Sequence, residues 1–586
     1  MGYDGAMARR SGAVHVARIV SRHKGREYVS HLLRRSYRDG DKVRHETVGN
    51  ISHLPEEVIG VVRRALAGET FVAASDAFEI ERSLPHGHVA AVAAMATKLG
   101  LPKLLGPPSK ERDLALAVVV ARVVRPGSKL ATTRWWSDTT LAEDLGVQGA
   151  TTDDVYAAMD WLHPRQGRIE AALARRHLAA GDLVLYDLSS SYYEGRHCPL
   201  AAFGYSRDKK RGAPQINYGL MTDRDGRPIA IEVFKGNTAD PSAFVAAAAK
   251  LKDRFGVAGI VAVGDRGMIT QTGIDALAEL GGIGWVTALR APAIQGLADK
   301  GAIQLSLFDE TNLAEISHPD FPDERLVCCR NPAVAGERRR KRDELLDATD
   351  QELAKIEAAT QRDNRPLRGK DKIGVRVGKV INKNKAGKHF TYDISDDDFK
   401  FKRDQERIDR EAALDGIYVI RTSVAAEDMD GAGVVAAYKR LARVERDFRS
   451  LKSVDLEMRP FHHRLKERVE AHALICMLAE YVVWHLRKAW APLTFTDEEP
   501  PVKEDPVAPA ERSDAAKQKA SRQRTTEGEP AHSFATLLDH LGTLIRSDVR
   551  VPAAAETPRF QQLSQATPLQ RKAFELLEAP IPLKVM

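Results

Sequence analysis

Cysteine is scarce in this sequence. The 586 residues hold four, Cys198, Cys328, Cys329 and Cys476, and no two stand in a C-x-x-C spacing. That argues against a zinc ribbon or a disulfide framework and fits a reducing compartment. Long apolar runs are missing too. The most apolar stretch, ALICMLAEYVVW, falls short of the roughly 20 residues a bilayer span needs and carries Glu480, so it reads as a core helix. The first residues, MGYDGAMARRSG, have no apolar segment of the kind a signal peptide carries, and Met7 offers a second start. No internal repeat stands out.

What is present describes a multidomain protein. A chain of 586 residues is too long for one hydrophobic core, and three or more domains are expected. An apolar fraction of 43% beside a charged fraction of 29% fits a soluble globular protein with some open, charged segments. The net charge of +7 is unevenly placed. Residues 1–50 hold eleven Lys/Arg against five Asp/Glu, which is nearly the whole excess. Basic charge gathered on one small segment points to a polyanion more than a uniform basic surface does. A solvated arginine-rich sheet is the plain alternative.

Residues 1–54 read as a basic antiparallel sheet built from VHVARIVS, REYVSHLLRRSY and KVRHETVG, with turns at RHKG and RDGD. Residues 55–180 read as a helical domain, broken at RPGSK. Over 181–290 the expected order is β-β-β-α-β-α-β. LVLYD and GIVAVGD are continuous apolar runs of the kind buried on both faces of a sheet, and QINYGLM-TDRDG-PIAIEVF is a hairpin. Residues 291–425 read as an inserted, charged α/β subdomain with a helical arm, followed by strand-like KHFTYDIS and GIYVIRTS. Residues 426–496 return to the core with the helix GAGVVAAYKRLARVERDFRSLKS. Residues 497–532 have the composition of a disordered linker, and 533–586 read as a C-terminal helical segment.

The chemistry rests on carboxylates. LVLYD reads as a buried strand that ends on Asp187, and IVAVGDRGM as another that ends on Asp265. One such aspartate is most simply a cap or turn. Two, on neighbouring parallel strands, stand side by side at the edge where open α/β sheets bind ligands. They repel unless a hard divalent cation, Mg²⁺ or Mn²⁺, joins them. A third ligand is expected from a helix on the sheet. Glu445 fits, at the border of the apolar stripe Leu441, Val444, Phe448. Tyr438 and Lys452 lie seven residues to either side of it, along nearly one line of the helix. Among weaker candidates, Tyr192, Tyr193 and Glu194 suit a packed turn, Trp285 suits the core, and the adjacent His462 and His463 diverge too far to share a metal.

In these blocks the chain resembles bacterial insertion-sequence transposases of the DDE type. The resemblance runs over most of residues 90–580. It is carried by YDLSSSYYEG with GYSRDKKRGAPQINYGLMTDRDGRPIAIEVFKGNTAD, by VAVGDRGM, and by YKRLARVERDFRSLKS with MRPFHHRLKERVEAHALICMLA. The family signature Tyr-x2-Arg-x3-Glu-x6-Lys is met by Tyr438, Glu445 and Lys452, while Leu441 stands at the arginine position. That leaves the arginine's DNA contact without its residue, although Arg440 and Arg443 are close by.

The resemblance implies an α/β fold with an RNase H-like core, interrupted between Asp265 and Glu445 by a largely β subdomain. It implies two Mg²⁺ (or Mn²⁺) ions held by Asp187, Asp265 and Glu445, with DNA contacts from Tyr438, Lys452 and Arg449. It also implies double-stranded DNA at element ends and target, a homodimer in the synaptic complex, and action in the cytoplasm at the nucleoid. Two other readings stay open. One is a nuclease on the same core without strand transfer, which a strand-transfer assay separates. The other is a transposase-derived DNA-binding protein without catalysis, against which the three intact carboxylates weigh.

Overall fold

The structure, a computed structural model, describes residues 12–69, 71, 78–255, 259–551 and 559–585. The first residues, with Met7, lie outside the described residues. The chain divides into two compact units, one of residues 1–83 with 546–564 and one of 84–545 with 565–586.

In the smaller unit, β1 (Val14–His23), β2 (Arg26–Asp39) and β3 (Lys42–Asn50) form an antiparallel meander in the order β1-β2-β3. The register His23↔Arg26 closes the first hairpin through Lys24 and Gly25, both at positive φ, as a tight hairpin turn requires. Most of this sheet is exposed, including Arg18, Arg22, Lys24, Arg26, Arg38, Lys42 and Arg44. The helix Glu56–Leu66 follows, with acids in its first turn and Arg63 and Arg64 in its last, which suits the helix dipole. The stretch read from sequence as wholly helical also contains β4 (Glu79–Pro85). It pairs in a second small sheet with the C-terminal strands Ile545–Arg550 and Arg559–Leu563, in a region read as helical only.

The larger unit is built on an eight-stranded mixed sheet. Its strands are β5 (Leu183–Tyr192), β6 (Gln215–Asp223), β7 (Pro228–Lys235), β8 (Ile260–Val263), β9 (Ile283–Ala288), β10 (Leu313–Ile316), β11 (Arg325–Arg330) and, after the hairpin β12 (Phe390–Ile394) and β13 (Phe399–Arg403), β14 (Ile417–Thr422). The spatial order is β10-β11-β14-β9-β8-β5-β6-β7. β5, β8 and β9 run parallel, and β5-β6-β7 is an antiparallel meander. The apolar runs of β5 and β8 are buried, with the helices Asp240–Lys250 and Leu441–Arg449 packed on β5. At Gly219 of β6 a Cβ would stand 2.1 Å from the Tyr186 hydroxyl, so only glycine lets that ring cross the sheet next to Asp187.

The segment 291–425, read as an inserted α/β subdomain, is continuous in part with the main sheet. β10, β11 and β14 extend the main sheet from the edge of β9, with β14 antiparallel to β9 through Ile420↔Ala288. An open β9 edge would expose unpaired backbone groups, and these strands satisfy them. Only the part between β11 and β14 stands apart. It comprises the 29-residue helix Pro332–Thr360, the helix Lys370–Asn384 and the β12/β13 hairpin, over a small core of Leu346, Leu353, Ile373, Val377 and Phe399. Arg342 anchors it through a buried bidentate pair with Asp415 at 2.9 and 2.6 Å.

The helix Lys466–Ala489 is 24 residues long and apolar enough by length and composition to cross a membrane, longer than its most apolar stretch suggested. Yet 83% of its most apolar window is buried inside the protein, where it packs on Lys110–Val124 and β7. The stretch 497–532 is not the featureless linker its composition suggested. It carries the helix Asp514–Arg522, capped by Ser513, whose hydroxyl also donates to Asp497 at 2.7 Å. Val507 is fully buried, and the Asn331 side chain donates to its carbonyl at 3.2 Å. Composition measures whether a segment can build a core of its own, and this one uses the core already there.

Candidate active site

β5 does not end on Asp187 but runs on to Tyr192, with Asp187 opposite Leu220 of β6. The serines that made the sequence look like a loop are buried, and Ser191 is hydrogen-bonded to the Tyr218 hydroxyl at 2.8 Å. What ends is the neighbour. β8 pairs with β5 through Leu183↔Val261, Val184↔Ala262 and Leu185↔Val263 and stops there. Two residues further on, the strands reach Asp187 and Asp265 respectively. Asp187 therefore lies at an opened edge of the sheet, half-buried, with Asp265 exposed beside the break.

The glutamate-bearing helix Leu441–Arg449 packs across β5 and β6. Leu441, Val444 and Phe448 face the sheet, Phe448 edge-on to Tyr218 at 5.7 Å between ring centres, and Glu445 is exposed. Burial pushes the Asp187 carboxyl up to about 7, and the charges of Asp265 and Glu445 push it in the same direction. The Leu188 N–H, donating at 2.8 Å, and the Arg207 charge work against them. The three carboxylates thus share one electrostatic field. The Tyr438 hydroxyl donates to Asp265 at 3.4 Å, and burial, then Asp265, raises its pKa.

The helix read as continuous is in fact two, Gly431–Lys439 and Leu441–Arg449, broken at Arg440, and the backbone widens to a π-turn over Ser450–Val454. Tyr438, Glu445 and Lys452 therefore do not share one straight helix line. Tyr438 reaches Asp265, whereas the Lys452 ammonium lies 3.1 Å from Asp208. Leu441 is buried in the core. Of its neighbours, Arg443 is held by Asp225 at 2.9 Å and by the Arg224 carbonyl, and Arg440 is half-buried. Arg449 is exposed on the last turn.

Sequence reasoning missed the groups behind the site. The Asp208 side chain is only 2% exposed and is held by Lys452, by Arg459 at 2.8 Å and by the Tyr192 N–H at 3.3 Å. Arg207 donates through Nη2 to both carboxylate oxygens of Asp240, each at 2.7 Å. The run SRDKKR signalled charge, but nothing local says which of its charges turn inward. Replacing Lys452 by alanine removes one of two cations from a buried carboxylate. A melting-temperature loss equivalent to about 1–3 kcal/mol is expected, alongside slower cleavage. The double variant Asp208→Asn/Lys452→Met should regain the stability and not the cleavage. An unchanged melt for Lys452→Ala would show that the pair does not form in solution.

Asp187, Asp265 and Glu445 offer only hard carboxylate oxygens, and their mutual repulsion is of the kind a divalent cation offsets. Among the described residues, no three His, Cys, Asp or Glu side chains form a ready ligand cluster. The fit is one of donor chemistry and charge, not of a formed cage.

Fold and site together define an α/β protein with an acidic centre where one parallel strand stops and a glutamate helix crosses the sheet. A family model described as the transposase DDE domain matches residues 192–480, and one described as the N-terminal domain of IS1634 family transposases matches residues 16–76. The chain belongs to the DDE transposases of insertion sequences, with an N-terminal region of the IS1634 kind. Asp265 and Glu445 fall inside the matched span, and Asp187 lies just before it. No curated protein matches the sequence. Among solved structures, a piggyBac transposase synaptic complex with hairpin DNA aligns at a TM-score of 0.34 and 8% identity, over 78% of this chain and 76% of that one.

Proposed function

We propose that this transposase binds the ends of its insertion sequence and cuts and joins DNA with Asp187, Asp265 and Glu445 as the catalytic carboxylates of an RNase H-like core. What supports the reading is that β8 leaves β5 unpaired two residues before Asp187 and Asp265, with the helix of Glu445 packed on β5. Mg²⁺ or Mn²⁺, two ions per site, would supply charge neutralisation at the phosphate and activation of the attacking oxygen. The chain's own residues do the rest. Asp187, set in a rigid strand, and Asp265, steadied by Tyr438, hold their oxygens at the sheet edge. Glu445 approaches from the crossing helix. Tyr438, Lys452 and Arg449 are assigned to phosphate contacts that fix the strand's path. Joining two ends calls for two copies of the chain in the synaptic complex, acting on DNA in the cytoplasm. Incubating the protein with end duplexes, a target duplex and Mg²⁺ tests this. Joined end–target products are expected, and nicking without joining would favour a nuclease.

The exposed arginines and lysines of β1–β3 are assigned to the DNA backbone. Deleting residues 1–50 should weaken end-DNA binding and flatten its dependence on salt, because fewer counterions are released. Unchanged affinity and an unchanged salt slope would make the sheet purely structural.

A further inference from the structure

Outside the acidic centre, the larger unit holds a cavity of about 500 Å³ whose lining carries five cations, Arg122, Lys129, Arg459, Arg464 and Arg468, against one carboxylate. It opens between the helix Lys110–Val124, the turn before the helix Lys129–Trp136, the loop 457–465 and the start of the helix Lys466–Ala489. Arg122 and Lys129 form its floor, 4% and 5% exposed. Arg464 lies on its exposed rim. Glu457, itself exposed, is the one carboxylate among the lining residues.

Among the described residues, no buried anion matches the two buried cations. Arg122 donates to the carbonyls of Gly127 at 2.9 Å and Leu456 at 3.4 Å, and its Nε has no partner. The Lys129 ammonium meets only a ring nitrogen, Nδ1 of His472, at 3.2 Å among its described hydrogen bonds. Burial, then the neighbouring Arg122, pushes that ammonium down to about 7. Burial also lowers the pKa values of His463 and His472, so those rings stay neutral and add no further positive charge beside the two cations. Other cations of the lining are already paired, Arg468 with Asp160 and Arg459 with Asp208. A buried cation without a counter-charge is costly, and the interior tolerates it where an anion completes the site. Lys129 also opens its helix, whose N-terminal dipole adds positive potential at the same wall.

We propose that this cavity is a phosphate-binding site for a DNA strand, separate from the acidic centre, with Lys129 and Arg122 as its buried anchors and Arg464 at its mouth. Its DNA half rests on the transposase reading, whereas the site itself does not. Arg459 lines the cavity and also holds Asp208, the partner of Lys452, so a strand seated here lies one ion-pair chain away from the helix of Glu445.

The test uses the full chain in two arms. In the first, inorganic phosphate is titrated at constant ionic strength, with binding read by calorimetry and by melting temperature. Wild type should bind and be stabilised. Lys129→Met should lose at least about tenfold in affinity while melting no lower without ligand, because it removes an unmatched buried charge. Arg464→Glu, on the exposed rim and no threat to folding, should lose a similar factor. No phosphate effect on wild type, or the same effect on both variants, overturns the site. In the second arm, phosphate should weaken end-DNA binding to wild type more than chloride at equal ionic strength, and not in Lys129→Met. The salt slope of that variant should fall by roughly one. Phosphate binding that leaves DNA binding untouched overturns the DNA assignment and makes the occupant a free anion. Cleavage of end DNA by wild type, measured in parallel, reports on the transposase reading independently of either result.

Discussion

Replacing Asp187 by alanine is expected to slow DNA-strand cleavage by on the order of 10³–10⁵-fold, the scale on which loss of a catalytic group is read. Affinity for end DNA should change by no more than a few-fold, since it rests on phosphate contacts elsewhere. Asp265→Ala and Glu445→Ala should behave alike. Asp187 is the sharpest of the three, because it lies outside the span matched by the transposase domain and its place in the structure rests on strand geometry. Its carboxyl is desolvated beside two other carboxylates, an arrangement that costs stability. Asp187→Ala should therefore melt no lower than wild type. A dead variant with an intact melt separates chemistry from folding. Cleavage near the wild-type rate would remove Asp187 from the centre and leave the edge of β5 without its assigned role.

Breaking the Glu170–Lys250 pair is expected to have the largest effect on stability. Glu170, on the helix Gln166–His177, has no exposed side-chain surface, and the Lys250 ammonium lies 2.7 Å from it with 4% exposure. The carboxylate also accepts the Ile231 N–H of β7 at 3.1 Å and the Gln166 amide at 2.9 Å. It therefore ties a helix of the helical region to the sheet and to the helix Asp240–Lys250. Lys250→Met alone strands a buried negative charge and should cost about 3–5 kcal/mol. Glu170→Ala strands the ammonium, with only Glu232 at 3.9 Å to answer it, and should cost a similar amount. The pair Glu170→Gln/Lys250→Met should recover most of the loss, since two neutral groups replace two charges that each depended on the other. Chemical denaturation of the three variants checks this. Losses below about 1 kcal/mol for both single changes would mean that water reaches the pair.

The sequence by itself determined the parts that depend on local pattern. Alternation with short turns specified β1–β3, and unbroken apolar runs specified β5 and β8 as strands covered on both faces. The aspartates after those runs, with a glutamate at the border of an amphipathic helix, marked the acidic centre. Tertiary structure decided which segments meet. That β14 pairs with β9 follows from an unsatisfied sheet edge, which no local period records. The turn of Lys452 toward Asp208 depends on a carboxylate 244 positions away in sequence. The stretch 497–532 is ordered by surfaces supplied by the rest of the chain, and the cationic cavity gathers Arg122 and Lys129 with a loop more than three hundred residues later. Periodicity reports whether a side chain is buried. Partners are set by the long-range matching of edges, charges and volumes, and only the folded chain brings these together.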